Sequence, residues 1–217
     1  MKKVKDAVAS ETVFTGAKFK GLRTVDEITT ALNAVIPASL SLEDVVFLCV
    51  GTDRSTGDSL GPYVGTYLKG LGYTNVIGTL DEPCHAMNLV DCVGQIPEGK
   101  KVIAIDACLG QFSSVGSVAV INGSLKPGGG VNKTHLPYVG DYSISGVVNV
   151  GGFMEYFVLQ NTRLSVVVEM AKNITSALVN IMPLGGSRIM PFVTVDISKP
   201  EKKRGRPRKV KPTEALI

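Results

Sequence analysis

The sequence predicts a doubly wound α/β domain built on a mostly parallel central sheet. Three observations predict it. Val45 to Val50 is a continuous apolar run bounded by turn residues, which suits a strand covered on both faces, as in a parallel sheet. Strand-like and helix-like segments then alternate, as they must where crossover helices join parallel strands. The chain has 217 residues, enough for one domain and a tail. A domain of about 180 residues buries roughly 70% of its unfolded surface and needs no staples.

Residues 1–23 carry no clear pattern and are assigned to an N-terminal arm. Thr24-Val25-Asp26-Glu27 has the spacing of a capping box. Ile28, Leu32, Val35 and Ile36 continue it as a helical stripe that stops at Pro37. The Val45 strand leads into a polar loop, Gly51 to Gly57. A helix from Leu60 to Leu71 follows, with Pro62 tolerated in its first turn. Asn75 to Leu80 is expected as a second strand, His85 to Ile96 as a second helix, and Lys101 to Ile105 as a third strand ending on Asp106. Val115 to Ile121 and Ile144 to Val150 are further strands. Gly128-Gly129-Gly130 marks a loop between them. A helical region runs from Phe153 to Ile181 and is interrupted near Asn161-Thr162; Phe192 to Ile197 is a short strand at most. The domain is placed at 24–198, and 199–217 as a disordered basic tail with no means of building a core.

Charge separates the two parts. The chain carries net +4, but residues 199–217 hold eight basic and two acidic residues, so residues 1–198 carry net −2. The charge that would seek an acidic partner belongs to the tail. Four cysteines, Cys49, Cys84, Cys92 and Cys108, lie in apolar stretches without paired spacing. That pattern indicates reduced thiols of a cytosolic protein rather than a disulfide framework. No apolar run approaches the ~20 residues of a membrane span, and no membrane partner is expected.

In open α/β sheets ligands bind beyond the carboxyl ends of the strands. Three acids fall there: Asp58, Asp81 and Asp106. Two carboxylates held close repel, which raises one pKa, so one stays protonated while the other is ionised. Such a pair can draw a proton from water and donate one to a carbonyl or a leaving amine. On spacing alone, helix capping by Asp58 and local capping by Asp106 explain the same residues.

The segments 51–62 (Gly-Thr-Asp-Arg-Ser-Thr-Gly-Asp-Ser-Leu-Gly-Pro), 78–83 (Gly-Thr-Leu-Asp-Glu-Pro), 104–110 (Ala-Ile-Asp-Ala-Cys-Leu-Gly), 125–128 (Leu-Lys-Pro-Gly) and 149–156 (Asn-Val-Gly-Gly-Phe-Met-Glu-Tyr) resemble the YyaC family of sporulation proteins. The resemblance runs from about residue 24 to 182. It implies a three-layer sandwich of the phosphorylase/hydrolase type, shared with the spore germination protease and the hydrogenase maturation endopeptidases. It implies a peptidase acting on a protein or peptide in the cytoplasm of a spore-forming bacterium, in forespore or mother cell. Asp58-Ser59-Leu60-Gly61-Pro62 and Ile105-Asp106-Ala107 match the two aspartate motifs of the germination protease, whose atypical aspartic mechanism uses neither metal nor cofactor. Asp58 and Asp106 are thereby the catalytic candidates, with Asp81 and Asn149 in support. In the maturation endopeptidases the same two positions bind nickel together with a histidine before the last helix. The comparable position here is Asn149, which makes a nickel site doubtful. No metal ligand set is therefore assigned. A metal-dependent maturation endopeptidase and a non-catalytic sporulation factor on the same fold stand as alternatives, and a homo-oligomer is left open.

Other patterns are weaker. Cys84, His85, Cys92, Cys108 and His135 lack the spacing of a structural zinc site. Gly51 to Gly61 lacks the Gly-Lys-Ser/Thr of a phosphate loop. The tail motif is stronger. Lys202-Lys203-Arg204-Gly205-Arg206-Pro207-Arg208-Lys209 resembles an AT-hook. Arg204 and Arg206 would enter the negative potential of a narrow A·T minor groove, Gly205 would let the backbone sit deep, and Pro207 would hold the chain extended. A·T-rich DNA is the expected partner of the tail; a solvated basic segment with non-specific phosphate attraction is the plainer reading.

Overall fold

A computed structural model describes residues 18–127 and 136–188. The tail motif, His135, the Gly128 loop and the expected Phe192 strand lie outside those residues. Six strands form one sheet in the order β1-β5-β6-β4-β2-β3. They are β1 (Lys18–Leu22), β2 (Val45–Cys49), β3 (Val76–Ile77), β4 (Lys101–Gly110), β5 (Val118–Asn122) and β6 (Tyr142–Val150). Pairs β2–β3, β2–β4 and β4–β6 are parallel, while β5 runs antiparallel to β6 and β1 antiparallel to β5. The mostly parallel sheet expected from the sequence is present. Its edge reaches further upstream than residue 24, because Lys18–Leu22 joins β5 with Phe19 and Leu22 packed on the core.

Helices cover both faces. On one side lie α1 (Val25–Val35), α2 (Leu60–Gly70) and α5 (Leu164–Ile181), which contact one another through α5. Their core includes Ile28, Leu32, Leu60, Val64, Ile174 and Leu178 against Phe47, Ile103 and Ile105. The other face is covered by α3 (Leu89–Gly94) and neighbouring loops over Leu48, Val50 and Ala104. A short helix, α4 (Glu155–Gln160), sits beyond the end of β6.

The reasons for these boundaries are local. Thr24 caps α1 as expected: its hydroxyl accepts from Glu27 N at 3.3 Å, and the Glu27 carboxylate accepts from Thr24 N at 3.1 Å. The helix expected from His85 starts only at Leu89. Asn88 Oδ1 accepts from His85 N at 2.7 Å and its Nδ2 donates to Pro83 O, which holds the 85–88 segment in a turn. The strand expected over Asn75 to Leu80 shrinks to two residues because Gly78, at φ +92°, crosses tightly over β2. A Cβ there would stand 2.0 Å from Cys49 O. By length and composition α5 could cross a membrane. Its apolar content is accounted for by the stripe it buries in the core, from Val167 to Ile181.

Candidate functional site

Every candidate side chain on the sheet belongs to the carboxyl ends of the parallel strands. β2 stops at Cys49, and the chain turns sharply at Gly51, whose φ of +147° suits glycine. Gly51 N donates to Cys84 O at 2.7 Å, and Thr52 N donates to Asp58 O at 3.1 Å. The loop thus closes on itself. A Cβ on Gly51 would lie 2.0 Å from Asp58 O. Asp58 sits half-buried in a short 3-10 turn, Gly57–Ser59, at the head of α2. That turn packs against β4 and against α4.

β4 is five residues longer than its shared ladder with β2, which ends at Ile105. Asp106 is the first residue of that overhang and is half-buried. One carboxylate oxygen accepts from Ala107 N at 2.8 Å. Alternation along the strand puts Asp106 on the same face as Val102 and Ala104, the face that carries Cys84. Burial pushes the Cys84 thiol well above its ordinary pKa, and neighbouring Cys92 and the charge of Asp106 push it further. Cys108 is raised to about 11, first by burial and then by Asp106. Both thiols are therefore protonated at neutral pH and poor nucleophiles. All four cysteines are free.

The two supporting residues are placed differently. Asn149 faces the foot of α4. Its Nδ2 donates to Val158 O and Thr162 Oγ1, both at 3.2 Å, and its Oδ1 accepts from Val150 N at 2.8 Å. Gly57 packs against Leu159 and Thr162, so Asn149 ties β6 and α4 to the turn that holds Asp58. Both ends of its amide are thus used to hold β6 and α4 together. Among the described residues no group of three or more His, Cys, Asp or Glu side chains is arranged to hold a metal ion. Asp81 is exposed, in a turn whose neighbour Glu82 pairs with Lys69 at 3.8 Å. That turn stands beside the later part of α2, where Thr66 Oγ1 accepts from Leu80 N.

Two features at the site escaped the sequence reading. Gly61 and Gly65 lie on the face of α2 that meets the sheet. A Cβ at Gly61 would be 2.1 Å from Val50 O, and one at Gly65 would be 1.9 Å from Gly78 O. Their four-residue spacing was the available signal, since it places both on one helix face. The second is Ser55, buried in the Gly51–Gly57 loop, whose hydroxyl has no hydrogen-bond partner among the described residues. Nothing in the local sequence marks it.

Several known proteins are similar to this chain. A family model described as "Protein of unknown function (DUF1256)" matches residues 19–177. Over 139 residues the chain is 55% identical to "Uncharacterized protein YyaC" of Bacillus subtilis (strain 168), covering 62% of this chain and 67% of that protein. Among the solved structures similar to this chain are two maturation proteases. One is the NiFe hydrogenase maturation protease HybD from Thermococcus kodakarensis, at 15% identity and a TM-score of 0.40, covering 60% of this chain and 93% of that one. The other is the maturation protease HycI from Thermococcus kodakarensis KOD1, at 18% identity and a TM-score of 0.41, covering 62% and 88%. With the family model spanning most of its length, the chain belongs to the family of proteins described as DUF1256.

Proposed function

We propose that the chain is a peptidase in which Asp58 and Asp106 share the acid–base work. The observation that carries this reading is the packing of the Asp58 turn against β4, the strand that presents Asp106 just past its last pairing with β2. One aspartate, ionised, takes a proton from water, and the resulting hydroxide-like oxygen attacks the scissile carbonyl carbon. The other, protonated, donates to the carbonyl oxygen as the tetrahedral carbon forms, and a proton then passes to the leaving amine. The raised thiol pKa values of Cys84 and Cys108 favour carboxylates over a cysteine nucleophile. Asn149 positions the Asp58 turn through α4; Asp81 supports the approach to the site from its exposed turn. The tail, through Arg204, Gly205, Arg206 and Pro207, tethers the domain to A·T-rich DNA in the cytoplasm of a sporulating cell. A DNA-tethered module without peptidase activity is the second reading, favoured by the tail motif.

The test is cleavage of an unfolded protein by wild type, Asp58→Asn and Asp106→Asn, each with and without chelator. Either substitution is expected to lower the rate by at least about a hundredfold, the usual weight of one acid–base group, with the fold retained by circular dichroism and no effect of chelator. Cleavage untouched by both substitutions would overturn the reading. Cleavage lost with chelator and restored by nickel would transfer it to the metal-dependent alternative.

A further inference from the structure

The overhang of β4 leaves a strand edge without a partner at the site. β2 pairs with β4 only from Val45↔Lys101 to Cys49↔Ile105, and Val50 N closes that ladder on Ile105 O at 2.7 Å. Beyond this point β4 continues to Gly110 with β6 on its other side. Among the described residues no strand pairs with the β2 side of 106–110. Backbone groups of alternate residues point to the same edge of a strand. Ile105 O points toward β2, so the N–H and C=O of Ala107 and Leu109 point that way too. Gly110 O confirms the alternation, because it accepts from Gly151 N on the β6 side at 2.9 Å. Among the described residues, one donor on this edge is taken: the Asp106 carboxylate accepts from Ala107 N. A row of this kind is a template for another extended backbone.

The surroundings specify the side chains of such a guest. Gly151 abuts Leu109 at the end of the overhang. The segment that follows exposes Phe153, Tyr156 and Phe157, with Phe153 81% exposed. Phe112, just past β4, is 85% exposed. Isolated exposed apolar residues need no explanation, but Tyr156 and Phe157 pack ring to ring at 5.9 Å on the helix that contacts the Asp58 turn, and exposed aromatics so grouped mark a contact surface.

We propose that the open edge of β4 at Ala107 and Leu109 binds an extended polypeptide segment bearing bulky apolar side chains, by adding it to the sheet as a strand beside Asp106. This rests on the peptidase reading and names its substrate class: unfolded or extended protein segments rather than folded surfaces. The guest backbone would lie alongside Ala107 and Leu109, beyond the end of the β2 ladder and next to Asp106.

The experiment uses full-length Asp58→Asn protein and β-casein, an unfolded polypeptide rich in apolar side chains. Hydrogen exchange should show slowed exchange at Leu109 N–H when β-casein is bound, and Leu109→Pro, which removes that donor and places a ring on the edge, should weaken binding about tenfold. Because that variant can fail to fold, the second arm alters the guest. A casein decapeptide that binds is N-methylated at one alternate set of residues, then at the other. One set should lose about tenfold in affinity and the other should not, as only one faces the edge. Equal effects of the two sets, or no slowing at Leu109, would overturn the proposal. Cleavage dependent on both aspartates with no such register effect would sink this docking mode and leave the peptidase standing. Edge binding to wild type with no cleavage would support the docking mode and sink the peptidase.

Discussion

At the scale of single residues, the site depends on where side chains are missing. Gly61 and Gly65 let α2 lie directly on the backbone of β2 and of the Gly78 turn, and α2 in turn carries the Asp58 turn at its head. Gly65→Ala should cost on the order of 3 kcal/mol, at the upper end of overpacking penalties, because the atom it meets is a carbonyl oxygen that cannot rotate away. Urea unfolding measures the loss; a change under ~0.5 kcal/mol would mean that α2 can shift without cost. Ser143 is the opposite case. It lies on β6 between β4 and β5, and its buried hydroxyl has no hydrogen-bond partner among the described residues. Ser143→Ala removes an unsatisfied polar group, so stability should be unchanged or higher. A loss of more than about 1 kcal/mol would reveal a hidden partner, such as a buried water.

At the scale of elements, α1 shows how far local chemistry reaches. The capping box was expected from Thr24 and Glu27 and is present, extended by Arg23 N, which also donates to the Glu27 carboxylate at 2.8 Å. Thr24→Ala should cost about 1 kcal/mol. The hydrogen bonds from Arg23 and Thr24 lower the Glu27 pKa below its ordinary value. A lowered carboxylate pKa stabilises the fold above the unfolded value of about 4.3 and loses that effect as pH falls through the folded value. Glu27→Gln should therefore lower the urea midpoint at pH 7 and have much less effect at pH 3. An equal loss at both pH values would show that the charge is not involved. α3 and β3 teach the reverse. Their cores of apolar residues were legible, but their lengths were set by Asn88 and Gly78, through contacts with segments several residues away or on another strand.

At the scale of the whole molecule, the candidate aspartates and the last described residue lie at opposite ends of the sheet. Asp58 and Asp106 belong to the carboxyl ends of the strands. The last described residue, Arg188, is at the other end: its guanidinium donates to Asn33 Oδ1, Ile36 O and Pro37 O, closing the end of α1. Nearby Leu184 shares a cavity with Val45 and Lys100, where β2 and β4 begin. The described chain thus ends on the side of the sheet remote from Asp58 and Asp106. Residues 1–198 together carry net −2, so DNA affinity should reside beyond Ser198. Binding of the full chain should be weak, fall with salt by about 0.9 in log slope per phosphate neutralised, and favour A·T-rich duplex. Truncation after Ser198, or Arg204→Ala with Arg206→Ala, should abolish the preference in a fluorescence titration. Equal binding by the truncated chain would refute the tether, and equal binding of A·T and G·C duplexes by the full chain would reduce the tail to a non-specific basic segment.

By itself, the sequence determined the α/β class, the capped first helix, the strand runs at Val45 and Lys101, and the aspartates that follow them, because periodicity and capping are short-range properties of the chain. It also determined the charge division between domain and tail, which is a matter of composition. Only the tertiary structure decided that β4 outruns β2, since strand length depends on which neighbours are present to pair with it. It alone decided that Asn149 anchors α4, that Asp81 stands in an exposed turn, and that Lys18–Leu22 joins the sheet. Each of these depends on a partner far away in sequence, and a single chain's local pattern does not encode which distant group will come within hydrogen-bonding reach.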